Sequence, residues 1–493
     1  MKKHYRGLTV AAVALTICFG LGSPVPAVEP APAPKSELVQ FLERDYLLGD
    51  WGGARTKLKE HGVDFEFVYF GAVPSNVGGG VKRGSVYQGG LLMMLDLYSD
   101  KLAGYEGGQF HAGGLSIHNG QPFSVAPDGT PTFVGDLNKV SMLDFPDTLH
   151  LWELWYEQKF LDNKVALKFG QLCIDRDFVL PEYYNSLAGI SLLNQTFFFP
   201  TMAFNVYDQP YFPVGHHALA STPYGTPGVR LRVDPCQYTY FQAGVYDGDP
   251  DRTRGGVRVN LNSDEGALIY LEMGLKLNQT KEAAGPPGNI KIGGYYHTDK
   301  FVDMYDGSLA AFDTLSGGAL SAPPPLGFGM ITAPPRFKEG NYGAYLLADQ
   351  TLWRELGKED PAQQGLVGFF RVAYAPEDRN LASLGVDGGL VYKGLVPSRD
   401  WDTLSLGLSY LKVSDNISRA QRDIDAAFAG ASMPAYFGKY ADYEAVVELS
   451  YKAQLSAWWT LQPSVQRVFH PGGRITPGIS DAWVVIVQTS FRF

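Results

Sequence analysis

From Val63 to Phe493 the apolar residues recur at every second position, segment after segment. A period of two is the signature of strands with one dry and one wet face. In Leu268–Leu277, Ile269, Leu271, Met273, Leu275 and Leu277 oppose Glu272, Gly274 and Lys276. In Thr403–Lys412, Leu404, Leu406, Leu408 and Tyr410 oppose Ser405, Gly407 and Ser409, and in Tyr443–Lys452 the faces are Ala445, Val447, Leu449 and Tyr451 against Glu444, Glu448 and Lys452. The final segment sets Trp483, Val485, Val487, Thr489, Phe491 and Phe493 against Gln488, Ser490 and Arg492. These segments run to about 9–11 residues and often carry an aromatic at one end, the length a tilted strand needs to cross a bilayer and the place of an aromatic girdle.

Alternation alone also fits a soluble sandwich. Here the second face carries Gly, Ser and charges along whole strands, as a watery lumen requires, and Phe493 ends an amphipathic last strand. Composition agrees: 29 Phe, 28 Tyr, 8 Trp and 57 Gly, only 19% charged residues, and a mean hydropathy of −0.11. That balance excludes a disordered polyampholyte, a coiled coil and a polytopic helical membrane protein. The longest charge-free stretches, Tyr183–Tyr207 and Thr314–Pro335, are interrupted by Asn, Gln, Gly or Pro and make no spanning helix.

The expected fold is an all-β transmembrane antiparallel up-and-down barrel of about 16 strands with a short N-terminal helical segment. Strand starts fall near residues 63, 86, 108, 149, 164, 196, 226, 237, 266, 289, 341, 364, 386, 403, 442, 458 and 482. A bacterial barrel takes an even number, so the segment near 196 is assigned to a loop. Gln121–Thr148, Cys173–Gln195, Lys300–Gly340 and Asp415–Lys439 are irregular and read as extracellular loops, some folded into the pore.

The first 27 residues have the form of a secretory signal: Lys2, Lys3 and Arg6, an uncharged run from Leu8 to Leu21, then Val25-Pro26-Ala27. Residues 28–62 comprise a Pro/Ala linker, a helical stretch around Glu37–Tyr46 and a second helix from Ala54 to Glu60, and residues 63–493 form the barrel. Removal of the signal takes the net charge from −10 to −13, which disfavours nucleic acid as a partner. Cys173 and Cys236 remain, either as one disulfide or as two isolated thiols. His216, His217 and His470 lack a third ligand nearby, so neither metal nor cofactor is expected. No Gly-x-Ser-x-Gly elbow, P-loop or zincin helix occurs, and Gly78-Gly79-Gly80 reads as a turn.

The candidate chemistry lies on the wet faces. Glu153, Trp155, Glu157 and Lys159 share one face of Leu149–Phe160, opposite Trp152, Leu154, Tyr156 and Phe160. Two carboxylates near an aromatic suggest glycoside hydrolysis, but residues four apart on a strand are about 13–14 Å apart, beyond the roughly 5–9.5 Å such catalysis uses. A lumen lining where aromatic faces stack on sugars and carboxylates accept hydroxyl hydrogens fits better. Arg230, Arg232, Arg371, Lys168 and Lys291 put cations on lumen faces, where opposed acids and bases across a constriction would orient dipoles and filter ions.

Several short segments, in order, resemble carbohydrate-selective porins of the OprB type. They are Leu48-Gly49-Asp50-Trp51-Gly52-Gly53-Ala54-Arg55, Gly62-Val63-Asp64-Phe65, Ser75-Asn76-Val77-Gly78-Gly79-Gly80, Trp155-Tyr156-Glu157-Gln158-Lys159-Phe160, Leu167-Lys168-Phe169-Gly170-Gln171 with Asp177-Phe178, Pro227-Gly228-Val229-Arg230-Leu231-Arg232, and Gln462-Pro463-Ser464-Val465-Gln466 with His470-Pro471-Gly472-Gly473. The resemblance spans roughly residues 46–493. It implies a 16-stranded outer-membrane barrel whose narrow eyelet passes glucose-like sugars by passive diffusion, without catalysis. The pore-lining candidates are Glu66, Arg83, Glu153, Trp155, Glu157, Arg176, Arg230, Arg232 and Arg371. Sugars and outer-membrane lipid are the expected partners, and a homo-oligomer is expected by analogy with trimeric porins. The alternatives are an outer-membrane barrel enzyme and a secreted sugar-binding β protein.

Overall fold

A computed structural model describes residues 36–493 apart from 120, 127–129, 183–190, 198–223, 249–255, 258–265, 281–282, 284, 325–326 and 356–363. The signal segment, most of the linker, His216 and His217 lie outside the described residues.

In chain order the strands are β1 Val63–Gly80, β2 Gly84–Ser85, β3 Gln88–Tyr98, β4 Gly108–Asn119, β5 Thr148–Phe160, β6 Val165–Leu172, β7 Thr226–Cys236, β8 Thr239–Asp247 and β9 Ala267–Leu277. They continue with β10 Gly288–Val302, β11 Phe337–Arg354, β12 Gly365–Tyr374, β13 Ala382–Lys393, β14 Thr403–Val413, β15 Tyr443–Ser456, β16 Trp459–Phe469 and β17 Ser480–Arg492. β2 is a two-residue pairing on β1. The other 16 pair antiparallel with their sequence neighbours, and β1 closes on β17 from Val68↔Arg492 to Gly80↔Ser480. Closure is what the hydrocarbon demands, because an open edge would leave N–H and C=O groups without partners there. Gln195–Phe197 forms a short 3-10 turn, and the rest of the segment assigned to a loop, residues 198–223, lies outside the described residues.

The alternation maps onto the wall. Leu271, Ile292, Phe370, Leu408, Leu449 and Val487 are exposed on the outside, whereas Glu272, Lys291, Arg371, Ser409, Glu448 and Gln488 are buried inside. Tyr296 faces Tyr342 across the β10–β11 pair, and these two with Tyr374 and Tyr410 ring the outside at one end. Trp353 against Tyr392 (5.8 Å) and Trp459 against Phe491 (6.0 Å) do so at the other. Such paired aromatic belts mark the two membrane interfaces.

Short turns, such as 161–164 and 237–238, join strands at the end that holds Phe493. Long loops leave the opposite end, the pattern of periplasmic turns and extracellular loops. Two of those loops are not wholly irregular, contrary to expectation: Met304–Leu315 and Asp415–Gly430 are helices. Asp303 caps the first through Tyr305 N and Asp306 N, and Ser414 caps the second through Asn416 N. Leu309, Phe312, Ala420 and Ile424 pack between them. Spacings of three and four at Ile417, Ala420, Ile424 and Phe428 were the legible signal.

Gly78–Gly80 is likewise not a turn but the irregular end of β1 against β17, with register shifts. Gly79 takes φ 71°, and a Cβ there would fall 1.7 Å from the Asp481 carbonyl oxygen, so only glycine lets the seam close this tightly. At the N-terminal side Ala54–Glu60 is helical as expected. Arg55 donates to the Phe493 and Phe65 carbonyls, both at 2.7 Å.

Candidate functional site in the lumen

Described stretches of two long loops lie inside the barrel against its inner wall. Residues 173–182 lie on the wall made by β6–β10. Asp177 accepts both Lys168 (3.1 Å) and Arg230 (3.4 Å), Val179 N donates to Glu272 (3.1 Å), and Lys291 donates to the Leu180 carbonyl (2.7 Å). Phe178 packs between Tyr246 and Tyr270 at 6.4 and 5.2 Å. Residues 191–197 lie against β12–β16, where Glu448 accepts Leu193 N (2.6 Å) and Asn194 N (2.9 Å) and Arg371 donates to the Thr196 carbonyl (2.6 Å). Residues 130–145 are held by Glu444, whose carboxylate accepts Leu137 N, Asn138 N and Gly472 N at 2.7–2.8 Å. Burial beside Asp144 pushes the Asp136 carboxyl of this loop up to about 7.

Beneath these loops the wall presents a charged and aromatic lane. Trp155 carries the Lys168 ammonium 4.2 Å above its ring and stacks on His111 at 4.8 Å. His111 is oriented by Asp96 at 2.8 Å. Arg176 reaches over Glu153 (3.5 Å) and the Trp152 ring (5.5 Å) with its side chain 47% exposed. Glu157 holds Arg230 at 2.6 Å. Arg232 lies 3.9 Å above the Tyr240 ring and pairs with Asp234 at 2.8 Å, which also takes Lys276 at 2.5 Å.

The structure therefore brings Glu153, Trp155, Glu157, Arg176, Arg230 and Arg232 onto one stretch of wall. On that stretch the acids and bases are close neighbours, paired along the wall. Arg371 is elsewhere and is buried, bound to Asp387 at 2.6 and 3.1 Å. Glu66 sits at the short-turn mouth, paired with Arg492 at 2.9 Å. Arg83 is exposed in the connection from β1 to β2. Trp152, expected on the outer face, is buried inside: the ladder runs Gly113↔Glu153 then Gly114↔Leu151, and the extra residue turns Trp152 inward beside Glu153. Sequence reasoning missed His111, Asp96, Asp387 and the loop-holding role of Glu444 and Glu448. His111 lies directly opposite Trp155 in the β4–β5 register, a signal visible only once strands are paired. Cys173 is buried and Cys236 exposed, both free thiols. Among the described residues no group of three metal-ligating side chains occurs.

A closed barrel, apolar outside and polar within, narrowed by loops tied to its inner wall, defines an outer-membrane porin. Residues 82–493 match the carbohydrate-selective porin, OprB family, and the chain belongs to that family. It is similar to Porin B of Pseudomonas aeruginosa, 26% identical over 94% of this chain and 93% of that one. It is also similar to the putative porin QuiX of Acinetobacter baylyi, 23% identical over 92% and 94%. The high-pH structure of Pseudomonas putida OprB superposes with a TM-score of 0.73 at 21% identity, covering 92% of this chain and 99% of that one. The protein is an outer-membrane sugar porin.

Proposed function

We propose that glucose-like sugars cross by stepping along the lane from Arg176 to Arg232, and that the chain carries out no catalysis. The observation that carries this reading is Arg176. Its guanidinium is half-exposed above Glu153 and Trp152 and beside the Trp155–His111 stack. A pyranose needs that combination: an aromatic face for its C–H groups, with donors and acceptors at the rim for its hydroxyls. Weak, multi-contact binding lets the sugar enter and leave. Glu157, Arg230 and Arg232 continue the lane, Glu66 serves the periplasmic mouth and Arg83 the outer rim, while Arg371 acts by holding a loop.

In the same reading residues 1–27 are cleaved on export, residues 28–62 lead into the barrel at residues 63–493, the outer belt meets lipid, and the barrels associate as homo-oligomers. Planar-bilayer conductance tests the lane. Glucose should block the ion current, and Arg176→Ala and Trp155→Ala should each weaken that block by about tenfold, the cost of one charge-assisted or stacking contact. Block of unchanged strength in both variants would remove the lane from the sugar path.

A further inference from the structure

Where the lane reaches the short-turn end, an open cavity of about 770 Å³ lies between the 161–164 and 237–238 turns. Five cations line it: Lys159, Lys164, Arg230, Arg232 and Lys276. Three carboxylates, Glu157, Asp162 and Asp234, oppose them, leaving two positive charges in surplus in a chain whose net charge is −10. Two of the carboxylates are already engaged: Glu157 holds Arg230, and Asp234 takes both Arg232 and Lys276, which leaves Asp162 as the one acid against Lys159 and Lys164. Asp177, behind Arg230, is matched by Lys168. Lys159 is 3.7 Å from Glu157, a loose contact, and Lys164 makes no ion pair with the described residues. Arg230 Nε and Nη1 have no acceptor among the described residues. Tyr238, also in the lining, is 55% exposed.

A neutral sugar has no use for a surplus of cations. An anion attached to a sugar uses both halves of the cavity, its charge on Lys159 and Lys164 and its carbon face on Tyr238. Asn163 and Gln237 in the same lining offer amides for hydroxyls. We propose that this cavity is a binding subsite for anionic sugar derivatives, a carboxylate or phosphate group carried on a polyol. The proposal rests on the lumen being a sugar path and adds a charged substrate class at its periplasmic end. The position also gives the subsite a direction, because a ligand arriving from the periplasmic side meets it first.

The test is current block in planar bilayers at about 0.1 M salt, where the screening length is still about 10 Å. The probes are gluconate, glucose 6-phosphate, glucose and inorganic phosphate, added separately to each side, with wild type, Lys164→Glu and Tyr238→Ser compared. Both altered positions lie in turns and leave the wall intact. The expected result is gluconate block stronger than glucose block and stronger from the short-turn side. Lys164→Glu should lower the gluconate-to-glucose ratio by about threefold or more, because the reversal changes the charge by two units at several ångströms in salt-screened water, and Tyr238→Ser should lower gluconate block but not the effect of inorganic phosphate. Gluconate and glucose 6-phosphate acting alike identifies the shared anion as the determinant, whereas gluconate acting alone narrows the class to carboxylates. A ratio unmoved by Lys164→Glu overturns the proposal, as does inorganic phosphate blocking as well as the sugar anions. Absence of glucose block with gluconate block intact would instead refute the neutral-sugar lane and leave this subsite standing.

Discussion

Arg371 shows how one buried charge can hold a loop. Its guanidinium is held by Asp387 on the adjacent strand and donates to the Thr196 carbonyl, with the side chain 2% exposed. Breaking a buried pair strands the partner's charge, at a cost of about 3–5 kcal/mol, whereas removing both partners costs much less. Arg371→Ala should therefore destabilise the folded barrel by about that amount, and Arg371→Ala/Asp387→Ala should recover most of the loss. Urea unfolding in detergent measures both. Additive losses would show that the two side chains act independently.

Asp136 carries a pH dependence of opposite sign to that of a salt-bridged acid. It is fully buried, Asp144 and Glu444 are its acidic neighbours, and Ser124 and the Val140 amide face it. With its folded pKa near 7 and an ordinary value of 3.8, the folded state holds a proton that the unfolded chain has released between those limits. Its contribution is complete below about pH 4 and is lost as pH rises through the raised folded value, a slope that belongs to Asp136 together with the neighbouring Glu444. Asp136→Asn should flatten that part of the stability–pH profile and make the barrel more stable at pH 8. An unchanged slope would mean that Asp136 is already ionised in the folded state.

At the scale of elements, β15 works as a rail of acceptors. Glu444 and Glu448 stand four apart on its inner face and each captures consecutive backbone N–H groups of an inward loop. Each such bond contributes about 0.5–1.5 kcal/mol, and leaving the buried amide without it costs about 1–3 kcal/mol. Glu448→Ala should free residues 191–197, raising single-channel conductance and weakening glucose block while the wall persists. Conductance recordings decide, and a wild-type trace from Glu448→Ala would mean that this loop does not narrow the path.

The sequence showed both glutamates on the wet face, because lipid leaves the strand alternation nowhere to hide. It could not show what they hold, since Glu444 and Leu137 are 307 positions apart. Trp152 was misread for a related reason: a single bulged residue inverts parity, and nothing local in Leu149–Phe160 announces the bulge. The helix Asp415–Gly430 was legible in its apolar spacing but was overshadowed by the strand period around it. The candidate list likewise set Arg371 beside the residues of the β5–β7 wall, because parity tells inside from outside but not which inner charges are tied to a loop.

For the whole molecule, every spanning strand depends on closure, and closure is concentrated at one seam. β1 is 18 residues long and meets β17 along most of its length. The seam's lower end is fixed by the pairs Val68↔Arg492 and Tyr69↔Phe491, by Phe493 N on the Phe67 carbonyl (2.8 Å) and by Arg55 on the Phe493 carbonyl (2.7 Å). Removing Phe491–Phe493 deletes these contacts and leaves β1 unpaired on the β17 side at Val68 and Tyr69, at the membrane interface, where unpaired backbone groups are costly. The truncated chain should fail to form the compact, heat-modifiable species that a closed barrel gives on unheated gels, and should be lost from the outer-membrane fraction. Arg55→Ala removes the two donated bonds and the guanidinium's contacts with the Tyr46 and Trp51 rings, and should lower the temperature at which that species unfolds without abolishing it. A truncated chain that still migrated as a folded barrel would show that closure is set by the upper seam, where Gly79 packs against Asp481.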